Sequence, residues 1–166
     1  FFIYLCHNMT HNPLAASPAF KGKSQNGLYG DATEELDWSM GVLLETLKEE
    51  GLDQNTLIIF TSDNGADEHF GGTNRPLRGQ KGTTYEGGFR VPCIMRWPAK
   101  IPAGQETDNL VTSMDFLPTL AHYCGYAVPS DRVIDGHNVS GILEGESMAS
   151  PTETFYYYQK QQLQAV

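Results

Sequence analysis

Thr56-Leu57-Ile58-Ile59-Phe60-Thr61, followed at once by Ser62-Asp63-Asn64-Gly65, is the stretch on which the fold turns. Six residues of β-branched and apolar character, bounded by a polar turn, have the length of a strand rather than a helix. Before it, Leu36, Met40, Leu43, Leu44 and Leu47 recur at helical spacing, which gives a helix one apolar face, and Gly51 ends it. Gly30-Asp31 reads as the helix start, with Asp31 as cap and Glu34 three residues on in capping-box spacing. Glu34, Glu35, Glu45, Glu49 and Glu50 read as its solvated face. Further back, Phe1-Phe2-Ile3-Tyr4-Leu5-Cys6 is a second apolar run of strand length. It has no basic region ahead of it, so it reads as a buried central strand and not as a signal peptide. Strand, helix, strand is a βαβ unit, and the sequence therefore predicts an α/β domain with parallel strands.

Forward of the deciding stretch, residues 62–89 change character. Glycines at 65, 71, 72, 79, 82, 87 and 88 describe a long shaped loop, and such loops inside a compact domain are usually functional. Phe89 to Trp97 returns to strand-like sequence, with Pro92 arguing for an edge or a bulge. Asp115 reads as the cap of a second helix through Cys124, with Leu117, Leu120 and Ala121 facing inward. A turn-rich stretch from Pro129 leads to a last strand at Phe155-Tyr156-Tyr157-Tyr158.

The 166 residues have room for one domain, and 40% apolar composition is enough for a core. A formal charge of -9 disfavours nucleic acid or an anionic membrane as partner, because both need a basic surface. No apolar run reaches the roughly 18 to 20 residues of a membrane span. Cys6, Cys93 and Cys124 lie far apart without a CxxC pair, so neither a disulfide scaffold nor a zinc knuckle is indicated.

Three places offer chemistry. Asp63-Asn64 follows a strand, where ligands of open α/β sheets bind, and its oxygens suit Ca²⁺ or Mg²⁺; an Asx turn is the alternative. Lys81 stands between Gly79 and Gly82 and offers three donors to an anion, unless it is only a solvated turn lysine. His11, in Thr10-His11-Asn12-Pro13, follows the first predicted strand and could serve as acid, base or anion donor. His7 competes with it, while His69, His122 and His137 have less support. A metal, an imidazole and an ammonium around one point would suit a tetrahedral dianion, sulfate or phosphate.

With Phe1-Phe2-Ile3-Tyr4, Thr10 to Pro13, Tyr29-Gly30-Asp31, Thr61 to Gly65, Gly79 to Pro92, Arg96-Trp97-Pro98 and Asp131 to Gly136, the chain resembles the formylglycine-dependent sulfatases of the arylsulfatase A and N-acetylgalactosamine-6-sulfatase type. The resemblance implies an alkaline-phosphatase-like α/β fold with a mostly parallel sheet flanked by helices. Residues 1–145 would be the second half of the catalytic domain and 146–166 the start of a smaller carboxyl-terminal subdomain. It makes Asp63 and Asn64 calcium ligands, Lys81 a sulfate contact, and His11 a donor to the sulfate ester that assists the leaving group. The family's Cys/Ser-x-Pro-x-Arg source of formylglycine is not in this sequence, nor is its Asp-Asp calcium pair. The resemblance places both upstream, so the chain alone is expected to be inactive. The implied partner is a sulfate ester, an aryl sulfate or a sulfated glycan, in an extracytoplasmic compartment: periplasmic, secreted or lysosomal. Two other readings are a phosphatase or phosphodiesterase of the same superfamily, which would favour zinc and a His where Asn64 stands, and a non-catalytic sulfate-binding module. Asn8-Met9-Thr10 and Asn138-Val139-Ser140 fit the N-glycosylation pattern.

Overall fold

A computed structural model describes residues 1–146 and 149–166 of the chain. It divides into two compact units, one of Phe1–Asp53 with Thr61–Cys93 and one of Gln54–Phe60 with Ile94–Val166.

The first unit is organised by helix α1, Gly27–Glu49. Leu36, Met40, Leu43, Leu44 and Leu47 are half-buried while Trp38 and Val42 are exposed, so the helical spacing marks the packed side. Gly51, at φ +68, donates its N–H to the Lys48 carbonyl and turns the chain out of the helix. The start differs from expectation. Asn26, not Asp31, stands at the cap, and Asp31 lies in the first turns with 2% of its surface exposed. Its carboxylate accepts the N–H groups of Gly22, Lys23 and Ser24 at 2.7, 3.1 and 2.8 Å, and so fastens the preceding loop to the helix. Those three bonds hold its carboxyl below the usual carboxylate range, the Gly22 bond most strongly. Glu35 also departs from the solvated face: it is half-buried, and its Oε2 accepts the Ser17 N–H at 2.8 Å.

The largest difference is at Phe1–Cys6. The segment forms no strand, and Phe2 and Tyr4 are 80% and 83% exposed. A strand needs neighbours for its N–H and C=O groups and a face to cover its side chains. Among the described residues no strand pairs with this one. The expected βαβ unit is accordingly reduced here to α1 and the strand after it.

β1 (Ile58–Thr61) pairs with β2 (Cys93–Arg96) in a two-stranded sheet that lies in the second unit except for Thr61 and Cys93. A 3₁₀ turn, Ser113–Asp115, leads into α3, Phe116–Tyr123; the short α2, Glu86–Phe89, precedes them in the first unit. Asp115 stands at the N-cap position of α3, as expected, but its side chain makes no cap bond there and instead forms a capping box with Thr112 over the 3₁₀ turn. Its fully buried carboxylate accepts the Thr112 N–H at 2.7 Å and the His137 N–H at 2.8 Å. Pro118 and Thr119 face inward on α3, whereas Leu117, expected to be buried, is 53% exposed. Val139 and Ile142, at and in helix α4 (Ser140–Leu143), join Trp97 as the buried apolar residues of this unit. The expected last strand is a hairpin, β3 (Tyr157–Gln159) antiparallel to β4 (Gln162–Ala165). The expected domain boundary at 145/146 falls beside Ser147 and Met148, which lie outside the described residues. No helix among the described residues is long and apolar enough to cross a membrane.

Candidate functional site

The site is assembled from the loop that leaves β1. Thr61 Oγ1 donates to the Pro92 carbonyl at 3.0 Å, and Ser62 Oγ donates to the Asn64 carbonyl at 2.9 Å, folding residues 62–64 into a tight turn. Asp63 is exposed on that turn and Asn64 half-buried. Gly65 then passes so close to α2 that a Cβ there would land on the Gly87 carbonyl, and its N–H donates to the Gly88 carbonyl at 3.0 Å. Only glycine fits this backbone approach. The next residue makes a second tie. Ala66 exchanges two hydrogen bonds with the Asn74 carboxamide, at 2.8 and 2.9 Å, and its carbonyl accepts the Lys81 N–H at 3.1 Å. The turn bearing Asp63-Asn64 and the segment bearing Lys81 are thus joined through two consecutive residues.

Lys81 is exposed in the second position of a four-residue turn, Gln80 to Thr83, closed by the Thr83 N–H on the Gln80 carbonyl at 3.0 Å. Gly82 follows at φ +83, the left-handed conformation that the third position of such a turn reserves for glycine. Behind the turn the Arg78 guanidinium lies 3.9 Å from the Tyr85 ring centroid and donates to its hydroxyl at 3.0 Å. Asp67 accepts both the N–H and the ring Nδ1–H of His69, at 3.1 and 2.9 Å. Those bonds, the ring bond first, hold the Asp67 carboxyl below the usual range, and the positive charge of Lys81 adds to the effect.

His11 reaches this assembly through Tyr29. The Asn8 to His11 turn is closed by the His11 N–H on the Asn8 carbonyl at 3.2 Å, and Thr10 Oγ1 donates to the Tyr29 hydroxyl at 3.3 Å. The same Tyr29 side chain lies against Gly71 and Gly72, where added Cβ atoms would come within 3.2 Å of its Cβ and 3.0 Å of its ring. The His11 ring is exposed, with Nδ1 2.9 Å from the Asn12 carbonyl. The Cys6 thiol raises the Tyr4 phenol, and the charge of Asp63 adds a smaller push in the same direction. His122 and His137 belong to the other unit. Tyr29, Asn74 and Asp67 carry the linkage and had no role in the sequence reading. Tyr29 stood in a quoted motif, but nothing in the local pattern marked Asn74.

Asp63 and Asn64 bring oxygens of the kind a hard cation takes, yet Ca²⁺ wants about 6 to 8 of them. Among the described residues no group of three or more His, Cys, Asp or Glu could hold a metal ion. The pair therefore fits part of a calcium shell, not a whole one.

The sequence matches the family model described as Sulfatase over residues 1–126. The chain belongs to the sulfatase family. It is 44% identical to the steryl-sulfatase of Homo sapiens and 42% identical to the N-acetylgalactosamine-6-sulfatase of Canis lupus familiaris, in each case over 100% of this chain. It spans 30% and 32% of their lengths. Among solved structures, the PsFucS1 sulfatase of Pseudoalteromonas sp. superposes with a TM-score of 0.87 at 36% identity, over 93% of this chain and 32% of that one. Ps i-CgsB in complex with neocarrahexaose gives 0.76 at 37% identity, over 84% of this chain and 32% of that one. The α/β, alkaline-phosphatase-like architecture expected from the sequence is thereby borne out for this member of the sulfatase family.

Proposed function

We propose that this chain supplies part of the sulfate-ester-hydrolysing centre of a longer protein, with Asp63 and Asn64 as calcium ligands, and His11 and Lys81 on the sulfate. The observation that supports it most directly is the pair of backbone bonds, Gly65 to Gly88 and Lys81 to Ala66, that ties the Asp63-Asn64 turn to the Lys81 turn. Lys81, at the corner of a tight turn, presents a compact charge to a sulfate oxygen at little cost in reorganisation. His11 can donate to the bridging oxygen and so ease departure of the alcohol. Bound calcium would supply positive charge to the transferring group, its remaining oxygens coming from residues outside this chain. Formylglycine would come from outside as well, since Cys6, Cys93 and Cys124 all lack the accompanying proline and arginine. Residues 1–145 would complete the catalytic domain and 146–166 begin the smaller subdomain, in an extracytoplasmic parent. The amide oxygen of Asn64, where a zinc phosphatase would place His, favours calcium and sulfate over the phosphatase reading.

Hydrolysis of 4-nitrophenyl sulfate by the full-length protein tests this. Lys81→Ala should cut turnover about 10²- to 10³-fold, the loss of one charge-stabilising donor. Lys81→Arg should rescue only in part, because a planar fork does not replace a point charge. The 166-residue chain alone should show no turnover. Undiminished turnover in Lys81→Ala, or a preference for 4-nitrophenyl phosphate, would overturn the proposal.

A further inference from the structure

We propose that Asn74 is a positioning residue for sulfate-ester hydrolysis: its carboxamide sets where the Lys81 turn stands relative to the Asp63-Asn64 turn. The inference rests on the sulfatase reading and adds to that centre a residue outside the four already placed in it. The carboxamide grips Ala66 from both sides. Oδ1 accepts the Ala66 N–H at 2.8 Å, and Nδ2 donates to the Ala66 carbonyl at 2.9 Å. A donor and an acceptor facing one residue reproduce, from a side chain, the exchange of bonds that a neighbouring strand would make. Ala66 lies two residues past Asn64, so the clamp closes directly behind the proposed calcium ligands. The same Ala66 carbonyl accepts the Lys81 N–H at 3.1 Å. A carbonyl oxygen has two lone pairs, and Asn74 and Lys81 take one each. Whatever fixes the direction of that carbonyl fixes the anchor of the Lys81 turn.

The clamp is itself anchored. The Leu77 N–H on the Asn74 carbonyl at 2.9 Å closes a turn on the residue's own backbone, and its side chain is half-buried. A longer side chain has no room. A Cβ at Gly65 would stand 3.1 Å from Asn74 Oδ1, so the extra methylene of Gln would push residues 65 and 66 away. Asp keeps the shape but, when ionised, has no hydrogen for the Ala66 carbonyl and sets oxygen against oxygen. Protonated, it donates one hydrogen to that carbonyl, accepts the Ala66 N–H and restores both bonds. Catalysis by charges held in place is sensitive to such a clamp, because a displacement of about 1 Å can cost about 10²-fold.

The test uses the full-length protein and 4-nitrophenyl sulfate, at a temperature where melts show each variant folded. Asn74→Ala should lower kcat about 10- to 100-fold with a smaller change in KM, because the displaced charges act most strongly in the transition state. Asn74→Asp should lose about as much at pH 8. Relative to wild type it should recover most of that loss as the pH falls toward 5, since the facing carbonyl raises its carboxyl. The ratio for Asn74→Ala should stay flat. Asp67, His69 and Lys81, the charged groups nearby, titrate in all three proteins and cancel in the ratios. Wild-type kcat in folded Asn74→Ala, with only the melting temperature lowered, would make Asn74 structural and overturn the proposal. An Asn74→Asp that does not recover in acid would overturn it too, because the bond to the Ala66 carbonyl would not be what places the turns. If the wild type hydrolyses no sulfate ester, the sulfatase reading falls, and amide hydrogen exchange decides the clamp alone. Exchange of the Lys81 N–H about tenfold faster in Asn74→Ala would then support it, and unchanged exchange would overturn it.

Discussion

Residues 62–89 contain seven glycines and few large apolar groups, yet they close on themselves through their own hydrogen bonds; residues 1–6 are almost wholly apolar and lie open to solvent. The loop closes on partners at most a few tens of residues away. Gly65 meets Gly88, Ala66 meets Asn74 and Lys81, and Gly87 donates to the Arg78 carbonyl at 2.7 Å. Each closure satisfies buried backbone groups without any help from a distant element. An apolar strand has no such recourse, because its hydrogen bonds and its covering face both belong to other elements. Hydrophobicity says that a segment wants burial; it does not provide the surface that buries it.

The largest expected effect sharpens this contrast. In the 166-residue chain, Phe2→Ala should change stability by less than ~0.5 kcal/mol, since its ring is already in water. In the full-length protein, if the apolar run forms the buried central strand its sequence predicts, the same change should cost about 3–5 kcal/mol. Urea melts of both pairs check it. Equally small effects in both would show that the run is not a buried strand in either.

Within the loop, two glycines predict different failures. Gly65→Ala drives a Cβ into the Gly87 carbonyl, a backbone atom that cannot swing aside, and should cost about 1–3 kcal/mol. It should also lower turnover in the full-length protein, because Asp63 and Asn64 ride on the displaced strand end. Gly82→Ala meets open space, so its cost comes from φ +83 alone, about 1–2 kcal/mol. Compensating Gly65→Ala by a second substitution is therefore hard, whereas Gly82→Asn should recover part of the loss, because Asn tolerates that conformation. Thermal melts of these three variants and of Gly65→Asn decide. Equal recovery of both sites by Asn would mean that the close approach at Gly65 is not what requires glycine.

Much of this was legible in the sequence for identifiable reasons. The helix of residues 27–49 declared itself because its apolar spacing is long and regular, and the strand at Ile58–Thr61 because it is bounded by polar turns. The four residues singled out for chemistry, His11, Asp63, Asn64 and Lys81, stand in turns whose residue types announce them. The connections between those turns were not legible. Asn74 and Tyr29 act across 8 and 19 residues through a carboxamide and a phenol that no local pattern marks. Asp31 was misread as a cap for a related reason. Its position one residue past a glycine fits a helix start, and only the fold reveals that Gly22, Lys23 and Ser24 return to its carboxylate.

That misreading leads to the smallest effect, a dependence on acidity. With its native carboxyl held below the usual range, Asp31 keeps its charge in the folded chain at a pH where the unfolded chain has begun to take up a proton. Its contribution is complete above the ordinary carboxylate range, about pH 4, and drains away as pH falls through the depressed native value. Asp31→Asn keeps the shape and one acceptor oxygen but loses the charge that strengthens the bonds to Gly22, Lys23 and Ser24. Urea melts of the chain and of Asp31→Asn between pH 7 and pH 3 should therefore differ most at pH 7 and converge as the pH drops below 4. Asp67, also held low, remains in both chains and cancels in the difference. A gap that stays constant across the range would mean that the three N–H groups need only an oxygen there. In that case the loop before α1 is fastened by geometry, as the glycine loop is, and not by charge.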